Sequence, residues 1–107
     1  TSCYARLKGG KRIAWESEKA KIKEIYKEFY HGEPFVRVVD TPPQTKQTWG
    51  SNHCLIYPTV DVRTGRLIVI SCIDNLVKGG AGQAVQSMNL MLGLQERIAL
   101  EEAAIYP

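Results

Sequence analysis

The sequence predicts an α+β domain, a mostly antiparallel sheet with flanking helices. Three observations carry that expectation. Stretches rich in β-branched residues, at 35–39, 54–62 and 66–73, are bounded by Gly, Pro, Asn and Asp. Two further stretches, 17–30 and 84–92, repeat apolar residues at helical spacing. The length of 107 residues suits one compact core, which at this size buries about 60–70% of the surface the unfolded chain exposes.

The first stretch, Ser2-Cys3-Tyr4-Ala5-Arg6-Leu7, is strand-like in composition. The turn signal Gly9-Gly10 and a short apolar run at Ile13-Ala14-Trp15 follow it. No initiator methionine or polar lead-in precedes that strand, which points to a piece of something longer. Ser17 is placed to cap a helix with Glu18 in its first turn, and Ile22, Ile25, Tyr26, Phe29 and Tyr30 form one apolar stripe. His31-Gly32 closes the helix and Pro34 prevents its continuation. Residues 35–39 form a strand that ends at Asp40-Thr41-Pro42-Pro43, because proline cannot donate to a central ladder. A short edge strand is expected at Gln47-Thr48-Trp49, before the turn-prone Gly50-Ser51-Asn52. Residues 54–62 and 66–73 then form a hairpin around Arg63-Thr64-Gly65. Its second strand is apolar on both faces, with Leu67, Val69 and Ile73 opposite Ile68, Ile70 and Cys72, and is expected to be buried on both. A helix over Ala84, Val85, Met88, Met91 and Leu92 stops at Gly93, and the Ala- and Glu-rich tail predicts a short third helix within 95–105.

Charge and cysteine usage exclude several classes of function. The net charge of +3 is small, and the lysines between Lys19 and Lys27 alternate with Glu24 and other acids. That pattern is a solvated helix face, whereas nucleic-acid binders concentrate one sign of charge. Cys3, Cys54 and Cys72 are odd in number and widely spaced, with no CxxC pair, so neither zinc nor a redox motif is expected and a reducing compartment fits. No apolar run approaches the ~20 residues of a membrane span. The expectation is a cytoplasmic protein with no metal, no nucleic-acid partner and no membrane partner.

The run Lys78-Gly79-Gly80-Ala81-Gly82-Gln83 leads into the last helix, and such a loop can offer backbone N–H groups to an anion. A tight strand-to-helix turn explains the same glycines, and Val85 stands where a dinucleotide fingerprint needs glycine or alanine. Asp74, after an apolar strand, is either paired with Lys78 or caps a local turn. His53 and Cys54 would point to opposite faces of a strand, so they do not form a nucleophile and base; Cys72 reads as core. Paired catalytic carboxylates are not evident.

The run 74–94, Asp-Asn-Leu-Val-Lys-Gly-Gly-Ala-Gly-Gln-Ala-Val-Gln-Ser-Met-Asn-Leu-Met-Leu-Gly-Leu, closely resembles the terminal signature of N-acetyl-gamma-glutamyl-phosphate reductases. Gly32-Glu33-Pro34-Phe35-Val36-Arg37-Val38 and Gly50-Ser51-Asn52 resemble the same family in the same order, so most of 17–94 is covered. His53 and Leu55 depart from the aromatic and acid usual after Gly-Ser-Asn, and Gln95-Glu96-Arg97-Ile98 departs from the usual tail. The resemblance implies that residues 1–107 are a carboxy-terminal dimerisation and substrate domain, with 80–93 the helix that returns to an NADP-binding Rossmann domain. It implies an enzyme of arginine biosynthesis in which a cysteine attacks an acyl phosphate and NADPH delivers hydride to the thioester. The family's catalytic cysteine and histidine lie upstream of the matched region, so no catalytic residue is carried over and the chain alone is expected to be inert. By similarity, Asn75 bonds the nicotinamide carboxamide, Lys78, Gly79 and Gly80 line the same cleft, and Gln83 is a weaker candidate. A small-molecule acyl phosphate substrate and a homo-oligomer are implied. The competing expectation is a freestanding α+β module that binds an anion or a partner without catalysis.

Overall fold

The computed structural model describes residues 1–8 and 15–105. The expected turn at Gly9-Gly10, and Ile13-Ala14 after it, lie outside the described residues. In chain order the elements are β1 (Ser2–Arg6), α1 (Trp15–Phe29), β2 (Val36–Val38), a 3-10 helix (Thr45–Thr48), β3 (Cys54–Asp61), β4 (Arg66–Cys72), a π-helical turn (Val77–Ala81) and α2 (Gly82–Met91). The four strands form one sheet in the order β1-β4-β3-β2. β4 runs antiparallel to both β1 and β3, while the short β2 is parallel to β3.

The hairpin anchors this sheet. Asp61 caps its tip: the Asp61 carboxylate accepts from Arg63 N–H at 3.0 Å and Thr64 Oγ1–H at 2.7 Å. Gly65 turns the chain with φ +65, and a Cβ there would stand 2.6 Å from the Trp15 ring, so the turn and the start of α1 pack only around glycine. The register pairs Tyr57 with Ile70, Thr59 with Ile68 and Pro58 with Val69. Since alternate residues of a strand point to opposite faces, Ile56, Pro58 and Val60 share one face, and all three are buried. α1 lies on that face, with Ile22 its buried residue. Lys23 and Lys27 bridge to Asp40, beyond β2, and tie the helix to the sheet edge.

The opposite face is covered at one end only. The loop after β2 crosses there, and Cys72 Sγ–H donates to Pro43 O at 3.5 Å. Beyond Cys72 the face carries Ile70, Ile68, Tyr57 and Thr59, all half-buried, and Tyr4 of β1, which is 66% exposed. β4 is therefore not buried on both faces, as its composition led one to expect. Within this chain its outer face has no covering layer among the described residues.

Other departures have local causes. α1 begins at Trp15, two residues before the expected cap at Ser17, and Glu16 joins Glu18 in the favourable first turn. Residues 47–49 are not an edge strand. Gln47 Oε1 accepts from Gln44 N–H at 2.8 Å and Thr48 Oγ1–H donates to Thr45 O at 3.1 Å, so side chains close a helical turn over this segment. The third helix does not form. Asn89 Nδ2 donates to Glu96 O at 3.2 Å and Ile98 O at 3.0 Å, taking carbonyls that a helix would need, and Ala99 sits at φ 62. The stops at Gly32 (φ 84) and Gly93 (φ 67) are where the sequence puts them.

Candidate functional site

Leaving β4, the chain must turn sharply into α2, and Asp74 organises that turn. Its Oδ1 accepts the N–H of Leu76 at 2.7 Å and of Val77 at 3.0 Å, an Asx-type local turn. Its Oδ2 accepts the N–H of Gly50 at 2.8 Å, from the loop after the 3-10 helix. These three N–H groups hold the carboxyl below the usual carboxylate range. Asp74 is thus a backbone clamp, not the partner of Lys78. The π-helical turn follows, with Gly79 N–H bonded to Asp74 O and Ala81 N–H to Leu76 O, each at 2.9 Å. π-turns are frequent at functional sites. They also consume N–H groups that an anion cradle would need, so the glycine run is a tight strand-to-helix turn.

Asn75 sits at the apex of this junction and lines a pocket of about 400 Å³ with Thr45, Lys46, Trp49, Ile73, Asp74 and Leu76. Gly79 backs directly onto it: a Cβ there would meet Ile73 Cδ1 at 3.3 Å and Asn75 Oδ1 at 3.4 Å. Gly80 lies against the Asn75 carbonyl, a Cβ there standing 3.3 Å from Asn75 O. Lys78 points elsewhere. Its Nζ donates to Gln86 Oε1 at 2.6 Å and stands 5.7 Å from the centre of the Phe35 ring. Gln83 is exposed in the first turn of α2. Asn75, Gly79 and Gly80 are therefore together, and Lys78 serves the turn from behind. None of Thr45, Lys46 and Trp49 was read as a site residue from the sequence, and Trp49 was expected on a short edge strand. Trp49 stands four residues after Thr45 and three after Lys46, a spacing that would have placed it beside both had residues 47–49 been read as helical rather than extended.

Behind the turn lies a buried polar network. Gln86 Oε1 accepts from Asn52 Nδ2 at 3.0 Å as well as from Lys78, and Gln86 Nε2 donates to Glu96 Oε1 at 2.6 Å. Asn52 and Asn89 are each only 1% exposed. Gly82 must be glycine here, because a Cβ would come within 2.4 Å of Asn52 Oδ1 and 2.7 Å of Val77 O.

His53 and Cys54 do not form a catalytic pair. His53 packs edge-on against Phe35, with ring centres 5.8 Å apart. Burial lowers its pKa first, and the positive charges of Arg37, Arg97 and Lys78 add to this. Burial pushes the Cys54 thiol up, away from thiolate. Among the described residues no cluster of three or more His, Cys, Asp or Glu side chains could hold a metal ion. Nor is any helix among them long and apolar enough to cross a membrane.

The chain is thus an α+β domain, a four-stranded mixed sheet with two helices and a polar strand-to-helix junction. The pattern that defines the semialdehyde dehydrogenase dimerisation domain matches residues 1–75, and the chain belongs to that family. Over the whole chain it is 55% identical to the N-acetyl-gamma-glutamyl-phosphate reductase of Dehalococcoides mccartyi and 49% identical to that of Heliobacterium modesticaldum. The reductase of Aquifex aeolicus is 53% identical over 86% of the chain. The chain spans 30% of the length of the first two relatives and 27% of the third.

Proposed function

We propose that this chain is the region of an NADP-dependent N-acetyl-gamma-glutamyl-phosphate reductase that pairs subunits and completes the nicotinamide end of the active site, and that alone it has no reductase activity. The observation that carries this reading is the unfinished surface of the domain. Its accessible area is 7598 Å², against ~6,000 Å² for a compact monomer of its mass. The surplus, roughly 1,600 Å² on one chain, is about twice what one partner contributes to a standard protein interface. The molecule is a slab of 49 × 32 × 17 Å with a radius of gyration of 16.0 Å, where a compact domain of this length has ~13 Å.

Two surfaces support the reading. The outer sheet face, with Tyr4, Tyr57, Ile68 and Ile70, is suited to a second copy of the same face. The outer side of α2, where Met91 is 86% exposed, is suited to a cofactor domain. The residues of the junction fit the nicotinamide end of NADP. The Asn75 amide has a free donor and acceptor for a carboxamide, the Trp49 indole supplies a flat wall, and Gly79 leaves room beside Asn75. When bound, NADPH supplies the hydride that reduces the acyl group to the semialdehyde. The chain's own contribution is positioning: Asp74 fixes the junction, and Lys78 and Gln86 hold the turn from behind. In this reading the nucleophilic cysteine and the acid/base histidine come from the rest of the enzyme. The setting is the cytoplasm, with an acyl phosphate as substrate and neither nucleic acid nor membrane as partner.

The test is a chimera in which this chain replaces the matching segment of the Dehalococcoides mccartyi reductase. It should oxidise N-acetylglutamate semialdehyde in a reaction that needs both NADP+ and phosphate, while the 107-residue chain alone should not rise above a blank. A folded but inactive chimera, or an active isolated chain, contradicts the reading.

A further inference from the structure

The two edges of the sheet are not alike. At the β2 edge Asp40 is tied to Lys23 and Lys27 of α1, and the loop after β2 returns to Cys72. At the β1 edge every residue from Ser2 to Arg6 is exposed. The bonds of β1 to β4 fix what that edge presents. Thr1 N–H donates to Ser71 O at 2.8 Å, Ser71 N–H to Thr1 O at 2.9 Å, and Leu7 N–H to Gly65 O at 3.4 Å. Bonding residues alternate along an antiparallel pair, so Cys3 and Ala5 also bond β4, while the N–H and C=O groups of Ser2, Tyr4 and Arg6 point away from the sheet. Natural sheets blunt such a row with prolines, bulges or several charges. This one has an unbroken register, no proline and a single charge, Arg6.

α1 is open on the same flank. Residues two apart on a helix point about 200° apart, so Ile25 and Phe29 lie across the helix from Lys23 and Lys27, on the side of β1. Ile25 is 52% and Phe29 76% exposed, and a hollow of about 220 Å³ lies between them and Tyr26 and Tyr30. A second copy does not finish this edge. α1 stands over β3, two strands in from β1. Pairing β1 with its own image would hold the two α1 helices roughly 24 Å apart at ~4.8 Å per strand, far beyond the ~8–10 Å at which helices pack, and both open flanks would stay bare.

We propose that the β1 edge docks an extended strand of the same polypeptide from outside these 107 residues, bonded to Ser2, Tyr4 and Arg6 and apolar on the α1 side beside Cys3 and Ala5. For the source of the strand the proposal rests on the reductase reading: the chain spans 30% of the length of two relatives, and the remainder is there to supply it. Backbone bonds to a sheet edge, with alternate side chains facing the layer above, are the general mode of strand addition.

Hydrogen exchange at single-residue resolution, read by mass spectrometry on the isolated chain and on the Dehalococcoides mccartyi chimera, tests this. The amides of Cys3 and Ala5 should be protected in both. Those of Ser2, Tyr4 and Arg6 should exchange freely in the chain and slow by on the order of 100-fold in the chimera, as amides closed into a ladder do. Ser2→Pro removes one edge donor and no bond to β4, so it should lower the melting temperature of the chimera and leave that of the chain unchanged, while Ser2→Ala lowers neither. Free exchange at all three amides in the chimera overturns the proposal. So does protection in the chain alone that rises with concentration, which assigns the edge to a second copy. A chimera that is inactive yet protected at these amides overturns the reductase reading and keeps the docking edge. An active chimera with free exchange there does the reverse.

Discussion

Asp74 joins three segments through one side chain: the end of β4, the π-helical turn and the loop at Gly50. Because its folded pKa is lowered, it stabilises the fold above its unfolded pKa, ~3.9. That contribution disappears as pH falls through the lower folded value. Asp74→Asn should therefore lower the melting temperature by a few degrees at neutral pH, and the gap to the parent chain should close as the pH is taken well below 4. Differential scanning calorimetry across that range checks it, and a gap independent of pH would show that the carboxylate charge has no part in the clamp. Gly82→Ala should cost about 1–3 kcal/mol through overpacking against Asn52 and Val77, measurable by urea unfolding. At this scale the sequence was half legible. The position of Asp74 after an apolar strand marked it out, but its partner could not be read, since the turn carries Lys78 to the far side of the junction, to Gln86. Lys46 gave no sign of its place, because side-chain closure at Gln44 and Gln47 decides whether that segment is helical.

At the level of elements, period and punctuation served well where apolar residues face a core. The hairpin, α1 and α2 follow from them, with ends displaced by a residue or two. They failed where polar side chains do the packing. Gln86 and Asn89 are buried one turn apart on α2, yet such residues read as solvent-facing, and their bonds to Glu96 and Ile98 are what turn the tail away from a helix. Gln86→Leu removes the acceptor of Lys78 and Asn52 and the donor to Glu96 together. It should destabilise by about 1–3 kcal/mol and loosen the tail, seen as faster amide exchange at Leu100, whose N–H bonds Arg97 O at 3.0 Å. Unchanged exchange there would mean that Asn89 alone holds the tail.

For the whole molecule, the apolar composition of β4 was legible while the exposure of its outer face was not, because composition does not say which face is covered, and no element among the described residues covers that one. The residues across that face, Tyr4, Tyr57, Ile68 and Ile70, are spaced along three adjacent strands and form a continuous apolar strip. Tyr4 is exposed and the other three are half-buried, and contiguous accessible apolar surface is suited to an interaction site. Ile68 lies near the middle, paired with both Tyr4 and Thr59, so a charge there meets its own image in any symmetric face-to-face dimer. The most direct measurement is multi-angle light scattering of the chain and its Ile68→Glu variant across the micromolar range. The parent should approach twice its 12.0 kDa mass while the variant stays at the single mass with an unchanged circular dichroism spectrum. A parent chain that remains monomeric at every concentration, or a variant that pairs as well as the parent, would contradict the assignment of this sheet face to subunit pairing.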